Sequence, residues 1–522
     1  MKKKMILIVI MGLMILYTAN VLFGKSLLEE EYIANYLDGK LTDKIPSKNE
    51  AVFTKAVCDN EVNVSWNDEE WGLFVSNLSK KSKCNLYFQT IKDVTKPELY
   101  QGFIPVVYDD TGNILIADEN SLWYDYENHK WGNAVLVNCS DTTVKNKYFD
   151  SNMNLKPDMV GQIIDMNDIL QMYVWIPRYR YRLWNAENGV SDEQMINIIF
   201  ESTERPKANG NKNGEYLTHP AFTFGDTELS GIWVGKFEMT GTTDLVTIKP
   251  NLKSLVNINI STMFNLSRSF STTSSSTYGL NSNEVDSHMM KNMDWGAVAY
   301  LTNSKYGRYL DENNCIESGC TPWKNNVLVK DGLSEYGTSA IGNNVTGCSG
   351  KTLSANYVVS DSCPEGYGWK NLGINASTTG NIYGIYDMSG GAYEYVMGVM
   401  LNQDSTINYG NSGFSGENMP AAKYYSTYHY RVEGGNNTDK NWWYTDKLGE
   451  ALNEVYKAHG LSNAWYSSGS WSITDEYPWL ERGYDAGGAG NLTTANVNVF
   501  SFSRNTGGPI INKTFRNVIT KS

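Results

Sequence analysis

One hydrophobic run dominates the start of the chain, and it constrains everything after it. Lys2, Lys3 and Lys4 precede an apolar segment from Met5 to about Phe23. A charged leader followed by such a run is a membrane-seeking signal. Its length is close to the roughly 20 residues a bilayer needs. No small-x-small cleavage site follows at Leu22-Phe23-Gly24, and no lipobox cysteine is present. Residues 1–26 therefore read as a signal anchor, with a removed signal peptide as the alternative. The lysines before the segment and Glu29, Glu30 and Glu31 after it favour an outward-facing remainder. The expected location is extracytoplasmic, anchored by the N-terminus, or secreted if the segment is cleaved.

Seven cysteines sit in that outward-facing portion: Cys58, Cys84, Cys139, Cys315, Cys320, Cys348 and Cys363. Outside the membrane they can pair. Cys58 and Cys84 bracket a stretch of strand-like alternation: Val62, Val64, Trp66; Trp71, Leu73, Val75; Cys84, Leu86, Phe88. So short a unit has little core, so a disulfide staple is expected there. The other four cysteines allow two bridges of unreadable connectivity, which leaves Cys139 over. Zinc is the rival reading, but it lacks a second close pair.

With 522 residues the chain is long enough for several domains. The expected organisation after the anchor is a polar, partly helical stalk (27–48) and a disulfide-stapled β module (49–92). A second small β module (93–140), a linker (141–167) and one large domain (168–522) follow. The second module carries a hairpin signal at Asp109-Asp110-Thr111-Gly112-Asn113 and the aromatic run WYDYENHKW. In the large domain, YVWIPRYRYRLWN (173–185) reads as a half-buried strand. Its Arg178, Arg180 and Arg182 would lie on a solvated face with cation–π contacts. GIWVGKFEMT (231–240) contributes another strand. A helix is predicted over 287–307, with Met290, Met293, Ala297 and Leu301 on one face and Asp286 or Ser287 as its cap. His288 would stand in its first turn as a neutral structural residue. Net charge is 44 − 57 = −13 with no basic stripe, which argues against nucleic acid as a partner.

The stretch GIYDMSGGAYEYVMG (384–398) poses the main question. Asp387 and Glu394 flank Gly390-Gly391, so they are either paired catalytic carboxylates or scaffold. Seven residues and a Gly-Gly turn separate them, and nothing in that spacing fixes acid–base geometry.

In order along the chain, FEMT, DWGAVAYL, NIYGIYDMSGGAYEY (381–395), Arg482-Gly483-Tyr484 and Thr514-Phe515-Arg516 resemble the formylglycine-generating enzyme (sulfatase-modifying factor) family. They also resemble its non-enzymatic relatives with the C-type-lectin-like fold. Gly391 stands where the family has Asn, and Tyr395 where it has Trp. The resemblance covers about 168–522. It implies an α+β, C-type-lectin-like domain after the small β modules and the membrane segment. It also implies that Gly384, Asp387, Gly390, Gly391, Glu394, Arg482, Gly483, Phe515 and Arg516 are framework.

The family's oxidases use a cysteine pair near the Arg-Gly-Gly region to bind copper, and this chain has no cysteine after Cys363. The five histidines are scattered, and no hydrolase, zincin or nucleotide motif appears. The chain therefore resembles the binding branch, typified by the variable proteins of diversity-generating retroelements. Their variable segment corresponds here to Tyr484–Asn512. It contains Tyr484, Asp485, Asn491, Thr493, Asn496, Asn498, Ser501, Ser503 and Asn505, interleaved with Val497, Val499, Phe500 and Phe502. Alternation would bury one set and display the other as a polar contact surface; a merely solvated strand is the plainer alternative. Trp442, Trp443 and Tyr444 in the 400–475 insert would stack on a ligand or close a local core.

The expected function is surface-displayed binding of an unknown protein or carbohydrate, adhesin- or receptor-like. Two alternatives are an oxidoreductase of the formylglycine-generating type and a prophage receptor-binding protein. No cofactor is required, although lectin-like loops admit calcium through oxygen ligands.

Overall fold

The computed structural model describes residues 32–35, 45–58, 63–76, 83–183, 195–210, 214–308, 345–348, 363, 365–388, 391–429, 447–452, 473–484 and 497–522. The fold is α+β, with many strands and few helices. The expected anchor over 1–26 lies outside the described residues. Among the described residues, no helix is long and apolar enough to cross a membrane. The chain divides into two compact units. The smaller ends at Lys96 and reclaims Ile199–Lys207, and the larger holds Pro97–Ile198 and Ala208–Ser522.

In the smaller unit, Ala51–Cys58 pairs antiparallel with Lys83–Thr90, which places Cys58 directly opposite Cys84. The two are joined as a disulfide. Cys84, Leu86 and Phe88 alternate inward, as period-two spacing requires. Trp66 crosses from the hairpin Asn63–Asn67/Gly72–Ser76 to stack on Phe53, with centroids 4.4 Å apart and planes 6° from parallel. The returning segment brings Arg205 to Asp68 at 2.6 Å and Glu204 to Lys55 at 2.7 Å. One correction concerns the stalk. Tyr32–Asn35 is a strand paired with Lys83–Leu86 rather than part of a polar helix, because a free sheet edge there offers it backbone partners.

The larger unit is built on a seven-stranded antiparallel sheet. Its order is Val285–Met289, Asn517–Lys521, Gly231–Gly235, Ile169–Pro177, Asn133–Val137, Ile104–Tyr108, Ile114–Ile116. The expected second module at 93–140 is therefore not separate; its strands extend the main sheet. Its hairpin forms at Asp109–Asn113, where Asp109 Oδ1 accepts from the backbone of Thr111 (2.9 Å) and Asn113 (2.8 Å). Nor is 141–167 only a linker, for Asp141 caps a helix over Thr142–Tyr148.

Ile169–Pro177 is buried at every position, as befits a central strand covered on both faces. The sheet ends at Pro177, which has no N–H to donate. The chain then passes into Tyr179–Arg182, which pairs with Leu217–Thr218. This overturns the solvated arginine face. Arg178 is 1% exposed, 2.9 Å from Glu228, and donates to the carbonyls of Phe222 and Leu229. Arg180 is also buried. Arg182 keeps the expected cation–π contact, with Tyr216. Gly231 is obligatory in its strand, because a Cβ would lie 2.4 Å from the Trp175 ring.

The predicted helix starts later than expected. Val285–Met289 is captured as a strand by Asn517–Lys521, so the helix runs Asn292–Thr302. Lys291, not Asp286 or Ser287, stands at the cap position, and Asp294 in the first turn accepts from its backbone N–H. The helix is buried nearly all round. Met293 is one of its less buried positions, and Met290 precedes it.

A second, five-stranded sheet joins Ser426–Tyr428, Tyr393–Met400, Trp479–Tyr484 and Val497–Asn505, with Lys513–Thr514 alongside Tyr393–Met400. Tertiary pairing across the whole unit, rather than local propensity, sets these boundaries.

Candidate functional site

The central motif leads directly into this second sheet. Asp387 adopts a left-handed conformation (φ +65°), as does Gly391 (φ +62°). That turn folds the Asp387 carboxylate inward, where it accepts from the Thr346 hydroxyl and from Gly347 N–H at 2.9 Å. Glu394, at the start of its strand, meets Arg516 in a two-pronged ion pair, with Nε to Oε2 at 3.1 Å. Arg516 also donates to the carbonyls of Gly235 (2.8 Å) and Tyr386 (2.9 Å). Glu238, from the FEMT stretch, accepts from Ala392 N–H at 2.8 Å and from the Ser254 hydroxyl. None of these four charged side chains is more than 1% exposed.

Three carboxyls thus gather around one guanidinium in the buried interior. Burial pushes the Glu238 carboxyl well above its ordinary range, and the charges of Asp387 and Glu394 push it further. Burial opposes the charge on Arg516, but Glu394 outweighs that and raises its pKa. The spacing argument for Asp387 and Glu394 missed that the fold would collect both around Arg516, and it did not single out Glu238. The available signal was a glutamate between Phe237 and Met239, two residues now fully buried.

A second buried basic side chain lies nearby, and burial pulls its pKa well below the usual lysine range. Lys236 donates to Asn133 Oδ1 (2.7 Å), Ile382 O (2.6 Å) and Gly384 O (3.0 Å), inside a cage of Tyr108, Trp369 and Tyr386 rings. Three oxygens satisfy its three donors, so the motif's backbone at Gly384 is tied to the first sheet.

The C-terminal framework is equally closed. Arg482 is fully buried and donates to Ala451 and Val499 carbonyls, beside the Trp295 ring. Gly483 supplies a φ of +81°, and Phe515 is fully buried. The expectation of a displayed polar set fails at Ser501 and Ser503. Val497–Asn505 is a strand, but Val499, Phe500, Ser501, Phe502 and Ser503 are all buried. Both of its faces are covered. Trp295 donates to Val499 O at 2.8 Å, and on the register opposite Ser503 lies Glu481, paired to Lys513 at 2.7 Å. Asn505 is half-buried and hydrogen-bonds Glu481. Asp485, Asn491, Thr493, Asn496, Trp442, Trp443, Tyr444 and Gly390, with the side chains of Tyr484 and Asn498, lie outside the described residues.

His288 falls on a strand, not in a helical turn. It lies flat against Phe224 (4.7 Å, 8°), with Nδ1 3.4 Å from Asp286 and Nε2 3.5 Å from Asp294. Burial alone would raise Asp286, but His288, Tyr424 and Arg268 together hold it down at about 2. No group of three or more His, Cys, Asp or Glu among the described residues is arranged to hold a metal ion. The copper chemistry of the resembled oxidases does not fit the donors present. Cys348 and Cys363 are joined to each other, and no cysteine follows them. Cys139 is a free, buried thiol.

Neither a protein-family model nor a curated protein of known function matches the chain.

Proposed function

We propose that the chain is an extracytoplasmic, surface-displayed binding protein, adhesin- or receptor-like, whose larger unit is a C-type-lectin-like platform. The observation that carries this reading is the consumption of the motif's acids by the framework. Asp387 and Glu394 are the residues a catalytic reading would need, and both are spent inside a buried network on Thr346, Gly347 and Arg516. Two disulfides among the described residues favour an oxidising compartment. Residues 429–478 separate the second sheet's strands Ser426–Tyr428 and Trp479–Tyr484 in sequence. Contact loops on a rigid sheet are a common way to recognise a protein or carbohydrate.

Burial of Ser501 and Ser503 removes them from the proposed contact set. Tyr484, Asp485, Asn491, Thr493, Asn496, Asn498 and half-buried Asn505 remain, with Trp442, Trp443 and Tyr444. The test is a glycan and protein array probed with the full chain in lipid nanodiscs, beside an Asn496→Ala/Asn498→Ala variant. The proposal expects saturable binding that the variant weakens. Equal binding by both would discard this contact surface, and a blank array would discard the binding function. The anchor predicts retention in the membrane fraction after a carbonate wash.

A further inference from the structure

A cavity of about 300 Å³ opens in the larger unit, well away in sequence from the C-terminal window. Its apolar lining is Met166, Pro250 and Trp369, and its polar lining is Asn251, Lys370 and Asn371. Trp369 is a fixed wall. It is 3% exposed and braced edge-on by Phe237 and Tyr108, each 5.7 Å away. Asn251 is held in a left-handed conformation (φ +59°), and its N–H donates to Thr346 O at 2.8 Å. Gly368 keeps the space beside the Asn251 side chain, for a Cβ there would lie 3.1 Å from its Oδ1.

The stem of Lys370 packs on the Asp109–Asn113 hairpin, where a Cβ on Gly112 would lie 2.9 Å from its Cδ. Its ammonium stands 5.4 Å from the Trp369 ring centre. Asp109, the acid that acts on it, already accepts hydrogen bonds from Thr111 and Asn113. Lys249 turns the other way, donating to Met166 O at 2.6 Å under the influence of Asp165 and Asp168. Among the described residues, the side-chain amides of Asn251 and Asn371 and the Lys370 ammonium have no hydrogen-bond partner. These three exposed polar residues line one small, partly apolar hollow.

We infer that this cavity binds an acidic monosaccharide unit, a uronic or sialic acid. Its size is at the lower end for a ligand site, which suits a single sugar ring. The two amides offer donors and acceptors to ring hydroxyls, half-buried Met166 lies beside the apolar sugar face, and Lys370 takes the carboxylate. The inference rests on the binding reading above and specifies a ligand class for it.

The test titrates the full chain in nanodiscs with glucuronic acid, N-acetylneuraminic acid and glucose, followed by saturation-transfer NMR. Lys370 and Asn371 are exposed, so their variants should fold normally. An acid is expected to bind at least about tenfold better than glucose, and Lys370→Ala to remove that advantage. Lys370→Arg should restore it, and Asn371→Ala should weaken both acid and neutral sugar. Absence of acid-sugar binding, or binding indifferent to Lys370→Ala and Asn371→Ala, overturns the cavity assignment. In that event, array ligands still captured by the Lys370→Ala protein would leave the broader binding function standing.

Discussion

Glu394 and Arg516, 122 residues apart in sequence, close on each other through two hydrogen bonds with neither side chain open to solvent. The pair locks the strand after the central motif to the chain's penultimate segment. Removing one partner strands a buried charge, which typically costs about 3–5 kcal/mol. Arg516→Ala should therefore lower the urea midpoint severely or prevent folding. Glu394→Gln keeps the shape and one acceptor, so it should cost less, about 1–3 kcal/mol. The double variant should lose much less than the sum of the two. Additive losses would show that the two residues do not act as a unit.

Glu238 makes stability depend on pH in an unusual direction. Its folded-state pKa is raised, so its contribution is whole below the ordinary carboxyl value of 4.5 and is lost as pH rises through the folded value. Stability should fall from mildly acidic toward alkaline pH. Glu238→Gln, which mimics the protonated acid, should flatten that decline in thermal melts taken across the range. A wild-type profile that rises with pH and an unchanged variant profile would contradict the assignment.

The Cys58–Cys84 bridge closes a loop with a sequence separation of 26 in a unit with a small core. Cys58→Ser/Cys84→Ser should destabilise that unit by about 3 kcal/mol. Protease cutting between residues 51 and 90 should rise accordingly. Peptide mapping without reduction should also recover Cys348 linked to Cys363.

Cys139 is expected to be inert in the folded protein. Burial pushes its thiol pKa to about 11, against a weaker pull from Lys145. Iodoacetamide at neutral pH should leave it unmodified until denaturant is added. Rapid native labelling would place the thiol at the surface instead.

These features were unevenly legible in the chain. The strand alternation through Cys84, Leu86 and Phe88 and the paired cysteines were readable because period-two burial and a disulfide are local constraints. The hairpin at Asp109–Asn113 was readable because its side chains satisfy its own backbone. Arg178, Ser501 and Ser503 misled, because polar residues on an alternating strand look solvated until a second layer covers them. The helix start misled for a related reason. The spacing of Met290, Met293, Ala297 and Leu301 drew the expected helix back to Ser287, but the last strand of the chain claims the backbone of Val285–Met289. The motif carrying Asp387 and Glu394 stood out in the sequence, whereas the convergence of both with Glu238 on Arg516 required the fold.

The central claim is that this framework holds a ligand and does not activate oxygen. Its most direct test is to load the purified full chain with copper, remove excess metal, and follow oxidation of a cysteine-containing peptide under air. The account predicts substoichiometric copper and no turnover above a denatured control. One copper per chain with catalytic conversion of the peptide thiol would contradict it.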